Sequence, residues 1–146
     1  MNALLGRLAV VVVVLTTGCG LGPNPGAQLK ESVEDYVRSM RWGHIERAAN
    51  YVPQALRSQF IRQKRLAQSQ LQIHEYEIRA VEYTQGSPRA RVIVMAVWSR
   101  AADPVTHQQL LSQEWRNEGR GWELARQNEV HQLPEGAEVL DLKDAL

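Results

Sequence analysis

The sequence predicts an α+β domain, with helices in its first half packed on an antiparallel sheet in its second. Three observations carry this. Leu29, Val33, Tyr36, Val37 and Met40 fall at i, i+4, i+7, i+8 and i+11, one stripe of a helix. From Leu71 onward the hydrophobic period changes from helical to two. Short turns rich in Gly, Pro and Asp then separate the apolar segments, which makes consecutive strands a meander.

The first helix follows residues 20–26, where two prolines and three glycines argue for an irregular tether. Lys30, Glu31, Glu34, Asp35, Arg38 and Arg41 cover its polar face, and Gly43 offers a stop. A second, short helix fits residues 44–52, with Ile45, Ala48, Ala49 and Val52 inward. Pro53 cannot continue it but suits the first turn of a third helix, residues 53–69, expected to bury Leu56, Phe60 and Ile61. Residues 71–83 read as the first strand, and Gln85-Gly86-Ser87-Pro88 as a turn. Residues 90–99 form the strongest strand and are apolar on both faces, so its middle should be covered on both sides. Asp103-Pro104 turns the chain into a third strand, residues 106–117, where Leu111, Gln113 and Trp115 alternate against Leu110, Ser112 and Glu114. Glu118-Gly119-Arg120-Gly121 returns it into a fourth, residues 122–126.

The N-terminus has its own logic. Arg7 precedes an unbroken apolar run from Leu8 to Leu15, then Thr16-Thr17-Gly18-Cys19. A positive start, a short apolar stretch and small residues at the cut describe a secretory signal. The run is too short to span a bilayer, which takes about 20 residues. The segment resembles the lipobox of bacterial lipoproteins, although Thr16 stands where that pattern prefers Leu. The resemblance implies cleavage between Gly18 and Cys19 and acylation of the Cys19 thiol. An ordinary signal peptide with a cysteine near its cut is the alternative. Cys19 is the only cysteine, so lipidation would remove a stray thiol, and no disulfide supports the fold. Two or three acyl chains give durable anchoring. Gly20 after the cysteine implies an outer-membrane destination, facing the periplasm, because Asp at that place retains such proteins in the inner membrane.

The expected organisation is a signal peptide over 1–18, a lipidated cysteine and tether over 19–26, one domain over 27–128 and an acidic tail over 129–146. Removing 18 of 146 residues leaves 128, enough for one core without staples. The leader's single charge is Arg7, so the remainder carries 16 basic and 16 acidic residues. That balance argues against a nucleic-acid partner. Arg57, Arg62, Lys64 and Arg65 form a basic stretch without acids, which reads as the solvated face of a helix or as a contact for anionic headgroups or an acidic partner.

The series Tyr36…Trp42-Gly43-His44…Ala48-Ala49-Asn50-Tyr51-Val52-Pro53, Tyr76-Glu77-Ile78, Arg91-Val92-Ile93-Val94 and Gln113-Glu114-Trp115-Arg116…Gly121-Trp122-Glu123-Leu124 resembles the NTF2-like superfamily. The resemblance spans residues 29–127 and rests on packing motifs. It implies a cone whose helices close over a bent sheet, often around an apolar pocket, often dimerising through the sheet.

Chemistry is hard to find. Enzymes of that superfamily use a carboxylate base inside the cone, but Glu31, Glu34, Asp35, Glu75 and Glu77 lie off the apolar faces. Glu114 shares its face with Leu110 and Ser112 and reads as an outer-face residue. His44, His74, His107 and His131 are scattered, so no metal site and no cofactor is expected. No nucleophile elbow occurs. Tyr36, Phe60, Tyr76, Trp98 and Trp115 remain as candidates for a pocket lining or for core. The expectation is a non-enzymatic, membrane-anchored module that binds an envelope protein or supports an assembly. The alternatives are a carrier or sensor of a small apolar ligand in the cone pocket and, behind it, an enzyme of the NTF2-like kind.

Overall fold

The computed structural model describes residues 24–133. The leader, Gly18, Cys19 and most of the acidic tail lie outside them. Helix α1 (Pro25–Arg41) is followed by α2 (Ile45–Ala49), a 3-10 turn (Gln54–Leu56) and α3 (Arg57–Gln70). Strands β1 (Leu71–Tyr83), β2 (Arg89–Arg100), β3 (Asp103–Asn117) and β4 (Trp122–Val130) form one antiparallel sheet in chain order. This is the α+β arrangement expected, with helices closed over a curved sheet.

Inside the domain, α3 begins at Arg57 after the 3-10 turn and not at Pro53, and β3 takes in Asp103-Pro104, which the sequence reading gave to a turn; the two ends of the domain differ as well. Asn24 caps α1 through its side chain, which accepts from the Gly26 N–H at 3.0 Å, and Pro25 occupies the first turn. The Pro and Gly assigned to the tether therefore open the helix, because a proline lacks only an N–H that this position leaves unused. At the other end β4 runs to Val130 and takes Glu129 and Val130 from the expected tail, pairing them with Leu111 and Leu110.

The α1 stripe is the core. Leu29, Val33, Tyr36, Val37 and Met40 are all buried, each contributing roughly 1.5–3 kcal/mol by leaving water. Helix α1 ends in a Schellman motif: the His44 N–H donates to Ser39 O at 2.8 Å and the Gly43 N–H to Met40 O at 3.2 Å. Gly43 holds φ +70°, which turns the chain sharply into α2. Against this stripe the inner sheet face presents Tyr76, Ala90, Val92, Val94, Ala96, Trp115, Trp122 and Leu124. Ile93 and Val97 on the outer face are buried too, so β2 is covered on both sides as its composition requires. Register shifts at Ile73/Glu75 and Ile78/Ala80 in β1 and at Glu114/Trp115 in β3 bend the sheet toward the helices.

Candidate functional site: a cavity beneath the third helix

Helix α3 behaves differently from α1. None of its residues is fully buried. Leu56, expected inward, is 48 % exposed, and Phe60 and Ile61 are only half-buried. Helix α3 packs against α2 and β1 and not across the sheet as α1 does. The space beneath it is a cavity of about 810 Å3. Met40 and Ile45 form one wall, Ala67 and Gln68 of α3 the roof, and Ile73, Tyr76, Ala96, Trp98 and Leu111 the sheet side. The volume sits within the range of ligand pockets, about 300–1,000 Å3. Trp42, 66 % exposed, stands at its rim. Beside it, between α3 and β4, is a second cavity of about 310 Å3, lined by Tyr36, Phe60 and Gln63 among others. Lys64 and Gln127 line both.

A chain of hydrogen bonds leads from the core to this place. Trp115 Nε1, which can only donate, gives its proton to Gln113 Oε1 at 3.1 Å. That fixes the amide of the fully buried Gln113. Its Nε2 donates to Gln127 Oε1 at 3.0 Å and reaches Tyr76 Oη at 3.4 Å. Tyr76 Oη in turn donates to Gln127 Oε1 at 3.2 Å. Burial pushes the Tyr76 phenol strongly up, so it remains a donor at any physiological pH. Tyr36 Oη is buried without a hydrogen-bond partner among the described residues. Its phenol is also raised, first by burial and then by the neighbouring Tyr76.

The five aromatic candidates separate into three roles. Tyr76 and Trp98 line the larger cavity, and Trp98 stacks on His107 with ring centroids 4.5 Å apart. Tyr36 and Phe60 line the smaller one. Trp115 lines neither; it is core, edge-on to Tyr36 at 5.7 Å. Gln113 and Gln127 were not singled out as site residues by sequence reasoning, and Lys64 was named only within the basic stretch. The signal for Lys64 was present, since Phe60, Ile61, Lys64, Ala67 and Gln68 follow helical spacing along one face.

The basic stretch is correspondingly not one solvated face. Arg57 donates to the carbonyls of Val52 at 2.9 Å and Asn50 at 3.2 Å, and Arg65 pairs with Glu46. Lys64 takes no acid partner among the described residues; its ammonium lies 5.6 Å from the Phe60 ring centroid, and burial lowers its pKa.

No Asp or Glu is buried among the described residues. Three carboxyls shift, all downward: Asp35 through its bonds from Arg47 and Tyr51, Glu46 beside Arg65, and Glu114 beside Arg116. Downward shifts describe ion-paired carboxylates, not a base poised by desolvation. Glu114 lies on the outer face as expected, bonded by Arg116 at 2.9 Å and 3.1 Å. Among the described residues no cluster of three His, Cys, Asp or Glu side chains forms, and no helix is long and apolar enough to cross a membrane.

No family model matches the sequence, and no curated protein matches it either. Solved structures do. A ketosteroid isomerase-like protein from Erwinia carotovora atroseptica superposes with a TM-score of 0.56 at 13 % identity, over 73 % of this chain and 96 % of that one. A SEC-C motif containing protein from Rhodopseudomonas palustris gives 0.53 at 15 % identity, over 74 % and 80 %. A Bdellovibrio bacteriovorus protein gives 0.52 at 11 % identity, with 75 % of this chain covering 41 % of that longer one. At these identities the likeness is one of fold: the described domain is built as an NTF2-like cone.

Proposed function

We propose that this chain is a lipid-anchored module of the bacterial envelope, without enzymatic activity, whose cone carries or senses a small apolar ligand. The cavity of about 810 Å3 carries this reading, because Met40, Ile45, Ile73, Trp98 and Leu111 give it an apolar stretch of wall while Tyr76 and Gln127, fixed by Gln113, supply polar atoms. Carboxyls held low favour binding over proton abstraction. The anchor rests on the Leu15–Cys19 segment.

Two measurements test it. Nile red, an uncharged probe, should bind the purified protein saturably at one site, and Ala67→Trp, which fills the cavity from α3, should abolish that binding. Unchanged binding by the variant would contradict the reading. Membrane fractionation with intact-mass analysis should find the chain beginning at an acylated Cys19, and Cys19→Ser should release it. A freely dissolved wild-type chain with an unmodified thiol would overturn the anchor.

A second reading, docking of an envelope protein, is favoured by the exposed apolar residues at the cone's open end: Trp42, Leu56 and Leu66, 66 %, 48 % and 64 % exposed. A photo-crosslinker at position 42 in intact cells distinguishes it. A homodimer through the sheet would have to desolvate the Glu77–Arg79, Glu82–Arg91 and Glu114–Arg116 pairs, which lie on the outer face.

A further inference from the structure

The junction between the two cavities is polar, and its polarity has one sign. Start from Trp115, whose indole can only donate. It forces Gln113 to accept through Oε1 and donate through Nε2. Gln113 Nε2 and Tyr76 Oη then both donate to Gln127 Oε1. Gln127 has its acceptor occupied by two donors and keeps its Nε2 hydrogens, with no acceptor for them among the described residues. Gln127 lines both cavities, and so does Lys64. Lys64 takes no acid among the described residues, whereas Arg57 and Arg65 of the same helix are both engaged. Two donors, one of them a half-buried cation, thus converge where acceptors are missing. Both side chains are half-buried, so a bound acceptor would replace water at them.

Charged groups at the rim do not cancel this. Arg41 and Glu129 both line the larger cavity and are opposite in sign; Glu129 is exposed, two residues along β4 from Gln127 and paired with Leu111. Beyond the junction Met40, Ile45, Ile73, Trp98 and Leu111 give the larger cavity an apolar stretch of wall, while Gln72, His74, Gln109 and Asn128 also line it. A ligand matching both parts has one anionic end and one hydrocarbon end. Lys64 is the cation common to both linings, and it balances one negative charge at the junction.

Resting on the carrier reading above, we propose that the cone's ligand is a single-chain carboxylate amphiphile, its carboxylate held by Lys64 Nζ and Gln127 Nε2 and its chain lying along Met40, Ile73 and Leu111. Charge-assisted hydrogen bonds of this kind are the strong ones.

Isothermal titration of the full chain with dodecanoate and with 1-dodecanol tests this, using wild type and Lys64→Gln. Both are kept below their aggregation limits. The wild type should bind dodecanoate one-to-one, and K64Q should weaken that by about tenfold or more while leaving dodecanol affinity unchanged. Lys64→Met serves as a second variant that keeps the packing of the stem, and unchanged melting temperatures show that both variants fold. If dodecanol binds wild type as tightly as dodecanoate and neither variant discriminates, the carboxylate assignment is wrong and the apolar carrier stands. If neither ligand binds wild type while the protein is folded, the carrier reading falls and takes the carboxylate assignment with it.

Discussion

Asp35 joins three pieces of chain. It sits on α1, accepts from Arg47 of α2 through both oxygens, and accepts from Tyr51 Oη at 2.8 Å. Arg47 is mostly exposed, which screens the pair. Asp35→Asn should cost roughly 1 kcal/mol, measured by denaturant unfolding at neutral pH. The sign with pH follows from the shifts. Asp35 titrates below its ordinary 3.8 in the folded state, so its contribution is full above that value and fades as pH falls through the folded one. Tyr51 is raised from 10 to about 12, first by burial and then by its bond to Asp35. Its contribution is full below pH 10 and is lost as pH rises toward about 12. The D35N variant should therefore lose part of both dependences. A different residue behaves unusually for a buried tyrosine. Tyr36 Oη has no hydrogen-bond partner among the described residues, so Tyr36→Phe should be neutral or stabilising by up to about 1 kcal/mol. A melting temperature lowered by several degrees would show that the hydroxyl is engaged after all.

At the scale of elements, the turn after α1 places α2 and, through it, the cavity wall. Gly43 at φ +70° is tight as well as left-handed: a Cβ there would lie 2.2 Å from Gln68 Nε2, whose side chain reaches back to Gly43 O at 3.4 Å. Gly43→Ala should cost roughly 1–2 kcal/mol from backbone strain and push Gln68 away from the cavity roof. Thermal melts check the first effect and Nile red affinity the second. Much of this element structure was legible beforehand. The stripe from Leu29 to Met40 identified α1 because one helix face is wholly covered by the sheet. The strands were legible because alternation is unambiguous where one face is buried. Helix α3 was misread for the opposite reason. It covers a cavity, so its Leu56, Phe60 and Ile61 look like core in sequence yet remain half-buried or exposed. The polar relay was illegible because its links, Trp115 to Gln113 to Gln127, connect two strands whose register no local pattern specifies.

For the molecule as a whole, a small cone encloses a hollow at its open end, and the segment that would anchor it leaves from the α1 end of the domain. Trp122 Nε1 donates to Pro25 O at 2.8 Å, which fastens the start of α1 to β4. Trp122→Phe should loosen that joint by about 1 kcal/mol without changing ligand affinity, because Trp122 lies among the core side chains and lines neither of the two cavities described above. Equal loss of stability and of binding would mean that the cavity and the joint are not separable.

The central claim is that the hollow beneath α3 is the binding site. Isotope-filtered NMR on the full chain saturated with dodecanoate tests it directly. The account predicts cross-peaks from ligand methylenes to the methyl groups of Met40, Ile73 and Leu111. Cross-peaks confined to outer-face residues such as Met95 and Leu110, with the interior methyls silent, would contradict it.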